Sequence, residues 1–464
     1  MRQLDVPSAV LPELARRFPY RYPVFFDSAS SGPLARFSIL AATPRCALWQ
    51  DARGKLRSVG ALPDALGSMV ERSSGFLDAL EAWWRVERTT AAGAASQLPW
   101  CGGWCVFLSY EIAAEIERLT LPSHATPVRA FALRVPAALI ADHATGRVYA
   151  VAESSVPAGL AALERDANQV AVELRAGVAS NNIAAPAARL LATPFKEEPP
   201  QKHLRRIEKA QYHIRAGDIY QANLARVWSA RLHRDVDPLS IYAALRRANP
   251  APFAASVRFG GLTILSSSPE RLVRVEGNQI STRPIAGTRP RRRQDNADDT
   301  AKAQLVAHPK ERAEHVMLLD LERNDLGRIC EPGSIRVDEF MTTESYEHVH
   351  HIVSNVLGVR RQDVSPVGVL RALFPGGTIT GCPKVRCMQI IAELEGGGRG
   401  PYTGSLGYIG LDGSMDFNIL IRSVVAWGDR IELRAGGGIV ADSNPQREIE
   451  ETRAKAAGML AAFA

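Results

Sequence analysis

Cysteine is scarce in this chain of 464 residues: there are 6, and no two stand in a Cys-x-x-Cys unit. The close pairs Cys101/Cys105 and Cys382/Cys387 have neither zinc-ligand nor dithiol redox spacing, which excludes a disulfide scaffold and a thiolate metal centre. Reduced thiols in a cytoplasmic protein are the expectation. Long apolar runs are missing too. Nothing approaches the ~18 consecutive apolar residues of a membrane helix, and the opening MRQLDVPSAVLPELARRFPY lacks the apolar centre of a secretory signal. Acidic residues are in mild deficit, 49 against 56 Lys and Arg, so the net charge of +7 raises the question of nucleic acid. The densest basic run, Arg289-Pro-Arg-Arg-Arg293, is followed at once by Asp295, Asp298 and Asp299, and no recognition-helix, zinc or aromatic-basic strand motif accompanies it. It reads as a solvated turn, and neither nucleic acid nor membrane is an expected partner.

What is present is a globular composition, 46% hydrophobic and 23% charged, in a chain long enough for one large domain or two to three ordinary ones. Residues 1–175 contain strand-like runs at 137–142 and 146–151, joined by a turn at His143-Ala-Thr145. Residues 176–200 are rich in Ala, Asn and Pro without periodicity, and are expected to form an internal linker or loop. Residues 201–464 open on a helical pattern over 202–216, with Gly217 as its stop. Hairpin signals follow at Gly277-Asn278, Asp412-Gly413 and Gly428-Asp429, and helical patterns cover 308–326, 381–395 and 445–463. Consecutive hairpins with separate helices predict an α+β fold, a large antiparallel β-sheet sandwich flanked by helices.

Three groups of residues are suited to chemistry. Glu311 and Glu314 share a helix face at i, i+3, and Glu448, Glu451 and Lys455 share another at i, i+3, i+7. Carboxylates converging from two helices suit Mg²⁺, although acids in first helical turns also complement the helix dipole. Glycine-dense backbone occurs at 374–384 and 435–443. Gly376 and Gly381 have phosphate-loop spacing, but Cys382-Pro383 replaces the Lys-Ser/Thr that such a loop needs. Bare N–H groups beside a helix start remain good carboxylate sites, as well as ordinary turns. Histidines cluster at His348, His350 and His351 in a strand-like run, and nothing local separates a structural from a catalytic role.

Taken in order, these stretches resemble the chorismate-utilising enzymes. The likeness runs through Gly217-Asp-Ile-Tyr-Gln-Ala-Asn223, Ser268-Pro-Glu-Arg271, Pro284-Ile-Ala-Gly-Thr288, Glu314-His315 and Val349-His-His-Ile-Val-Ser354. It continues through Phe374 to Lys384, Gly407-Tyr408, Ile421-Arg422, Gly436 to Ser443 and Glu448-x-x-Glu-Thr-x-x-Lys455, with Pro99-Trp-Cys-Gly-Gly103 and Ser109-Tyr-Glu111 extending it upstream. Gln221 is similar to the amine-transferring branch, since water-adding members carry a lysine base there. That branch takes ammonia from a glutamine amidotransferase subunit, and no Gly-x-Cys-x-Gly glutaminase nucleophile occurs in this chain, so the partner is expected to be a separate polypeptide. Ala286 stands where some members forming 4-amino-4-deoxychorismate have a nucleophilic lysine, which implies a route without a covalent intermediate. Ala251-Pro-Phe-Ala-Ala255, Gly376-Gly-Thr-Ile-Thr-Gly381 and Gly436 to Ser443 resemble the same product branch more than the anthranilate-forming one.

The resemblance implies roles. Mg²⁺ would be held by Glu314 and Glu451, with Glu311 and Glu448 supporting. Glu270 would be the general acid, and His351 would line the ring. Chorismate would be bound by Gly287, Thr288, Tyr408, Arg422, Gly436, Gly437, Gly438 and Lys455. Phe25-Phe-Asp-Ser28 resembles the tryptophan pocket of the anthranilate-forming branch, with Ser28 retained and Asn249 to Pro252 as its other wall. A feedback site and a purely structural pocket are both compatible with it.

Overall fold

The computed structural model describes all residues except 31, 33, 73–74, 90–97, 178–189, 291–306, 308 and 346–348. Its strands form two sheets, one of 12 strands and one of 11, and the pairings are antiparallel. The expected hairpins form where glycine supplies a positive φ. Gly277 turns strand Arg271–Glu276 into Gln279–Arg283, and Gly428 turns Ser423–Trp427 into Arg430–Ile439.

The two halves of the chain are woven together. Strand Val24–Asp27 pairs with Phe253–Phe259 in the first sheet, and Gly103–Leu108 pairs with Ser405–Gly410 in the second. Between the sheets lies one apolar core, including Val24, Ile39 and Ile264 from one face and Phe107, Phe131 and Leu406 from the other. Helices cover both outer faces. Val10–Arg17, Pro157–Arg175 and Pro445–Leu460 pack on the first sheet, while Phe76–Glu87, Pro309–Gly327 and Pro366–Leu373 pack on the second. The architecture is the α+β sandwich expected from the hairpin pattern. Among the described residues no helix is long and apolar enough to cross a membrane.

One expectation needs correction. Leu191–Glu197, inside the stretch read as linker, is a strand hydrogen-bonded to Gln221–Leu232. It is an edge strand, largely exposed, interrupted by Pro194 and shifted in register twice, so it carries no clean alternation of apolar residues.

The strand Gln221–Leu232 is the scaffold of the candidate site. On one side it pairs with Arg430–Ile439, setting Asn223 opposite Gly438, Leu224 opposite Gly437 and Ala225 opposite Gly436. Its first residues also pair with Gly381–Cys382. Beyond Ile439 the chain turns into helix Pro445–Leu460, started by Asn444, whose side chain accepts from the N–H groups of Gln446 and Arg447 at 3.0 and 3.1 Å. Such a cap contributes about 1 kcal/mol and fixes where the helix begins, hence which face Glu448 and Glu451 present.

Candidate active site

Three consecutive glycines form the floor. A methyl group at Gly438 would lie 1.9 Å from Gln221 Nε2 and 3.2 Å from Glu314 Oε1. At Gly437 it would lie 3.3 Å from Glu448 Oε2 and 3.6 Å from Glu451 Oε1, and at Gly436 it would meet the Tyr402 hydroxyl at 2.8 Å. The carboxylates of helices Pro309–Gly327 and Pro445–Leu460 therefore do converge, on adjacent positions of one bare strand. Lys455 donates to the Gly436 carbonyl at 2.9 Å and pairs with Glu451 at 2.7 Å. The side chain of Glu311 lies outside the described residues. Among the described residues no three His, Cys, Asp or Glu side chains already enclose a metal-sized position.

Gln221 is buried, and its Nε2 donates to Glu314 at 2.9 Å. Because the amide nitrogen is fixed by a carboxylate, which can only accept, the amide oxygen must point the other way. That Oε1 is buried and has no partner among the described residues. Asn223 Oδ1, 3.0 Å from the same methyl position at Gly436, is buried without one as well. Buried acceptors are nearly always satisfied, so two orphans beside one glycine floor mark a place where a donor from outside belongs.

The second cluster contains Glu270, His351 and Arg422. Glu270 follows strand Leu262–Ser268 and is buried, so loss of solvation pushes its carboxyl up to about 7. The Thr378 hydroxyl, close but outside hydrogen-bonding geometry, the Ile285 N–H at 3.5 Å and Arg422 offset this in part, and the charge of Glu322 adds to it. His351 is buried in strand Val349–Val359, and burial with the nearby Arg422 and Lys455 holds its ring down at about 3, hence neutral at physiological pH. Arg422 lies 3.4 Å from His351 Nε2 and has a φ of 49°, a left-handed conformation that costs a non-glycine residue of order 1 kcal/mol. The electrostatic reach of Lys455 to His351 joins this cluster to the glycine floor. Gly287 has a φ of 68° at a register shift between Ala286 and Thr288, so the backbone bulges beside His351, its hydrogen-bonding neighbour. The side chains of Ala286 and Thr288 lie outside the described residues, as does His348.

One predicted residue stands elsewhere. Tyr408 points into the core between the sheets, edge-on to Phe26 at 5.8 Å and beside Trp100 at 6.2 Å. The tyrosine that reaches the glycine floor is Tyr402, six residues earlier and just outside strand Ser405–Gly410. Strand alternation is the reason: Leu406 and Tyr408 share the face that packs on the first sheet, whereas Tyr402 precedes the strand and is free of that register. Ser28, just after strand Val24–Asp27, donates to the Phe37 carbonyl at 2.7 Å and lies 3.4 Å from the Pro252 carbonyl, beside the wall expected at 249–252. Its neighbour Asp27 accepts from Ser38 at 3.2 Å, Tyr242 at 3.1 Å and Arg246 at 2.6 Å.

Sequence reasoning also missed Glu322 and Asp325. Burial pushes Glu322 up to about 7 and raises Asp325, which pairs with Lys384. Both occupy helix Pro309–Gly327 about two and three turns beyond the predicted ligand pair, in the polar run Glu322-Arg-Asn-Asp325, which in sequence reads as a solvated helix face.

A cationic pair, Arg422 and Lys455, a neutral buried imidazole, a buried acid whose pKa is pushed up to about 7 and carboxylates facing bare backbone suit an anionic substrate. Residues 44–461 match the chorismate binding enzyme family, and the chain belongs to that family of enzymes. It is 41% identical over 371 residues to aminodeoxychorismate synthase component 1 of Bacillus subtilis, covering 78% of this chain and 77% of that protein. It is 40% identical over 362 residues to anthranilate synthase component 1 of Methanothermobacter thermautotrophicus, covering 78% and 74%. The crystal structure of anthranilate synthase component I from Streptococcus pneumoniae superposes with a TM-score of 0.76 at 32% identity, covering 99% of each chain.

Proposed function

We propose that the chain is the synthase component of an aminodeoxychorismate synthase, converting chorismate and ammonia to 4-amino-4-deoxychorismate for p-aminobenzoate and folate. Gln221 carries the reading. Its amide cannot act as a base on water, and its fixed, unpartnered oxygen is an acceptor for an ammonia N–H. Release of water balances the addition: the C–N bond forms as the 4-hydroxyl departs with the proton of Glu270, and a proton lost by the incoming nitrogen restores the acid. Glu270, held neutral by burial, donates that proton. Arg422, Lys455 and the Tyr402 hydroxyl bind the substrate carboxylates, Arg422 as a planar fork. His351 orients the ring from the Gly287 bulge. With alanine at 286, no side chain captures the ring covalently.

The donor set also fits Mg²⁺. Glu314 and Glu451, supported by Glu448 and Glu311, are hard oxygen ligands on two helices facing a backbone without side chains, which leaves room for waters and a substrate carboxylate. When bound, the ion would neutralise that carboxylate and stabilise charge at the departing hydroxyl. Ammonia would come from a glutamine amidotransferase subunit, and the compartment would be cytoplasmic.

Amination at ring carbon 4 rather than 2 is supported by the stretches at 251–255, 376–381 and 436–443, and by Asp27 and Arg246 filling the segment that resembles a tryptophan pocket. Likeness to the Methanothermobacter protein and to the pneumococcal structure favours a second reading, anthranilate synthase component I. One incubation separates them. Chorismate, Mg²⁺ and ammonium should yield p-aminobenzoate only after the downstream lyase is added. Anthranilate formed without lyase would overturn the first reading.

A further inference from the structure

Glu270 is not the only buried acid near the reaction. Glu322 is equally buried, and the two are gripped by the same two segments. From strand Gln279–Arg283 the Thr282 hydroxyl donates to Glu322 at 2.7 Å, and three residues on the Ile285 N–H faces Glu270. From the turn Gly377–Ile379, the Gly377 N–H serves Glu322 while the Thr378 side chain lies against Glu270. The Thr282 hydroxyl and the Gly377 N–H are neutral donors to Glu322, Asp325 opposes its ionisation, and Lys384 is committed to Asp325 and to the Leu373 carbonyl at 3.3 Å. Arg422 is a cation acting on Glu270. Two carboxyls so confined cannot ionise independently, because the first charge disfavours the second.

Resting on the general-acid reading of Glu270, we propose that Glu322 is a positioning residue, the second acid of a coupled pair that keeps Glu270 ready as proton donor. The sign follows from charge. A negative Glu322 opposes ionisation of Glu270, so replacing it with a neutral isostere lets Glu270 lose its proton at lower pH.

The test uses the full chain with Mg²⁺, saturating chorismate and a fixed concentration of free ammonia. In Glu322→Gln the alkaline limb of kcat should move down by about half a pH unit, a threefold change in the proton equilibrium. Glu322→Asp should restore the limb toward its original position. Thr282→Val, which removes the donor that favours ionised Glu322, should shift it the same way by less, and serves if Glu322→Gln does not fold. An unmoved limb in a folded variant would overturn the proposal. Glu270→Gln is the control: if it is inactive while the limb stays put, Glu322 alone is misassigned, and if it remains active, the general-acid reading fails first.

Discussion

Two polar clusters in this sandwich are built on opposite plans. Around Asp27, the carboxylate oxygens are taken up by Ser38, Tyr242 and Arg246, and Ser28 is bonded to neighbouring backbone. Around the glycine floor, Gln221 Oε1 and Asn223 Oδ1 are buried without partners among the described residues, and burial disfavours ionisation of the Glu270 carboxyl. A satisfied network stabilises and excludes ligands, since an entering group finds no open valence. An unsatisfied one costs stability until something binds. The first plan suits architecture and the second suits chemistry, although both are cut from the same residue types.

Substitutions can break that contrast. The largest effect is expected at Glu270→Gln, which should lower kcat by ~10²–10⁴-fold while raising the melting temperature above neutrality. The folded pKa of Glu270 is raised to about 7, so its contribution to stability is present below the unfolded value and lost as pH rises through about 7. Glutamine has nothing to lose there, worth on the order of 3 kcal/mol at pH 8 by thermal unfolding. A variant that is both inactive and less stable at that pH would contradict the plan. Asp27→Ala should behave oppositely, losing ~2–3 kcal/mol by leaving the Tyr242 hydroxyl unpaired, with unchanged turnover per folded molecule. Tyr402→Phe should raise the KM for chorismate about tenfold, equal to ~1.4 kcal/mol, whereas Tyr408→Phe should leave KM within about twofold. Steady-state kinetics on the pair decides which tyrosine meets substrate. The smallest effect is the pH profile itself: at fixed free ammonia, kcat should decline as pH rises through about 7, following loss of the Glu270 proton.

Much of this was legible beforehand, and what was not has physical causes. The hairpins were readable because Gly277 and Gly428 must occupy positive φ, and the convergence of Glu314 with Glu448 and Glu451 because helix faces repeat every three to four residues. Tyr402 was missed because only the exact start of strand Ser405–Gly410 frees it from the register that turns Tyr408 into the core. Strand boundaries are set by pairing partners far away in sequence. Glu322 was invisible for a related reason: an acid in the polar run Glu322-Arg-Asn-Asp325 looks like a solvated position until the Gly377–Ile379 turn is seen to cover it. The strand Leu191–Glu197 gave no signal because an edge position needs no apolar face.

The seam between Gly103–Leu108 and Ser405–Gly410 has a consequence for biogenesis. During synthesis the early strand must wait for most of the chain to leave the ribosome before its partner exists. Until then its hydrogen-bonding edge and the apolar side chains Phe107 and Val106 stand open. Such delayed, non-local pairing makes folding slow and exposes the nascent chain to aggregation. Yield of this enzyme on overexpression should therefore depend on chaperone supply and on growth temperature more than on the stability of the finished fold.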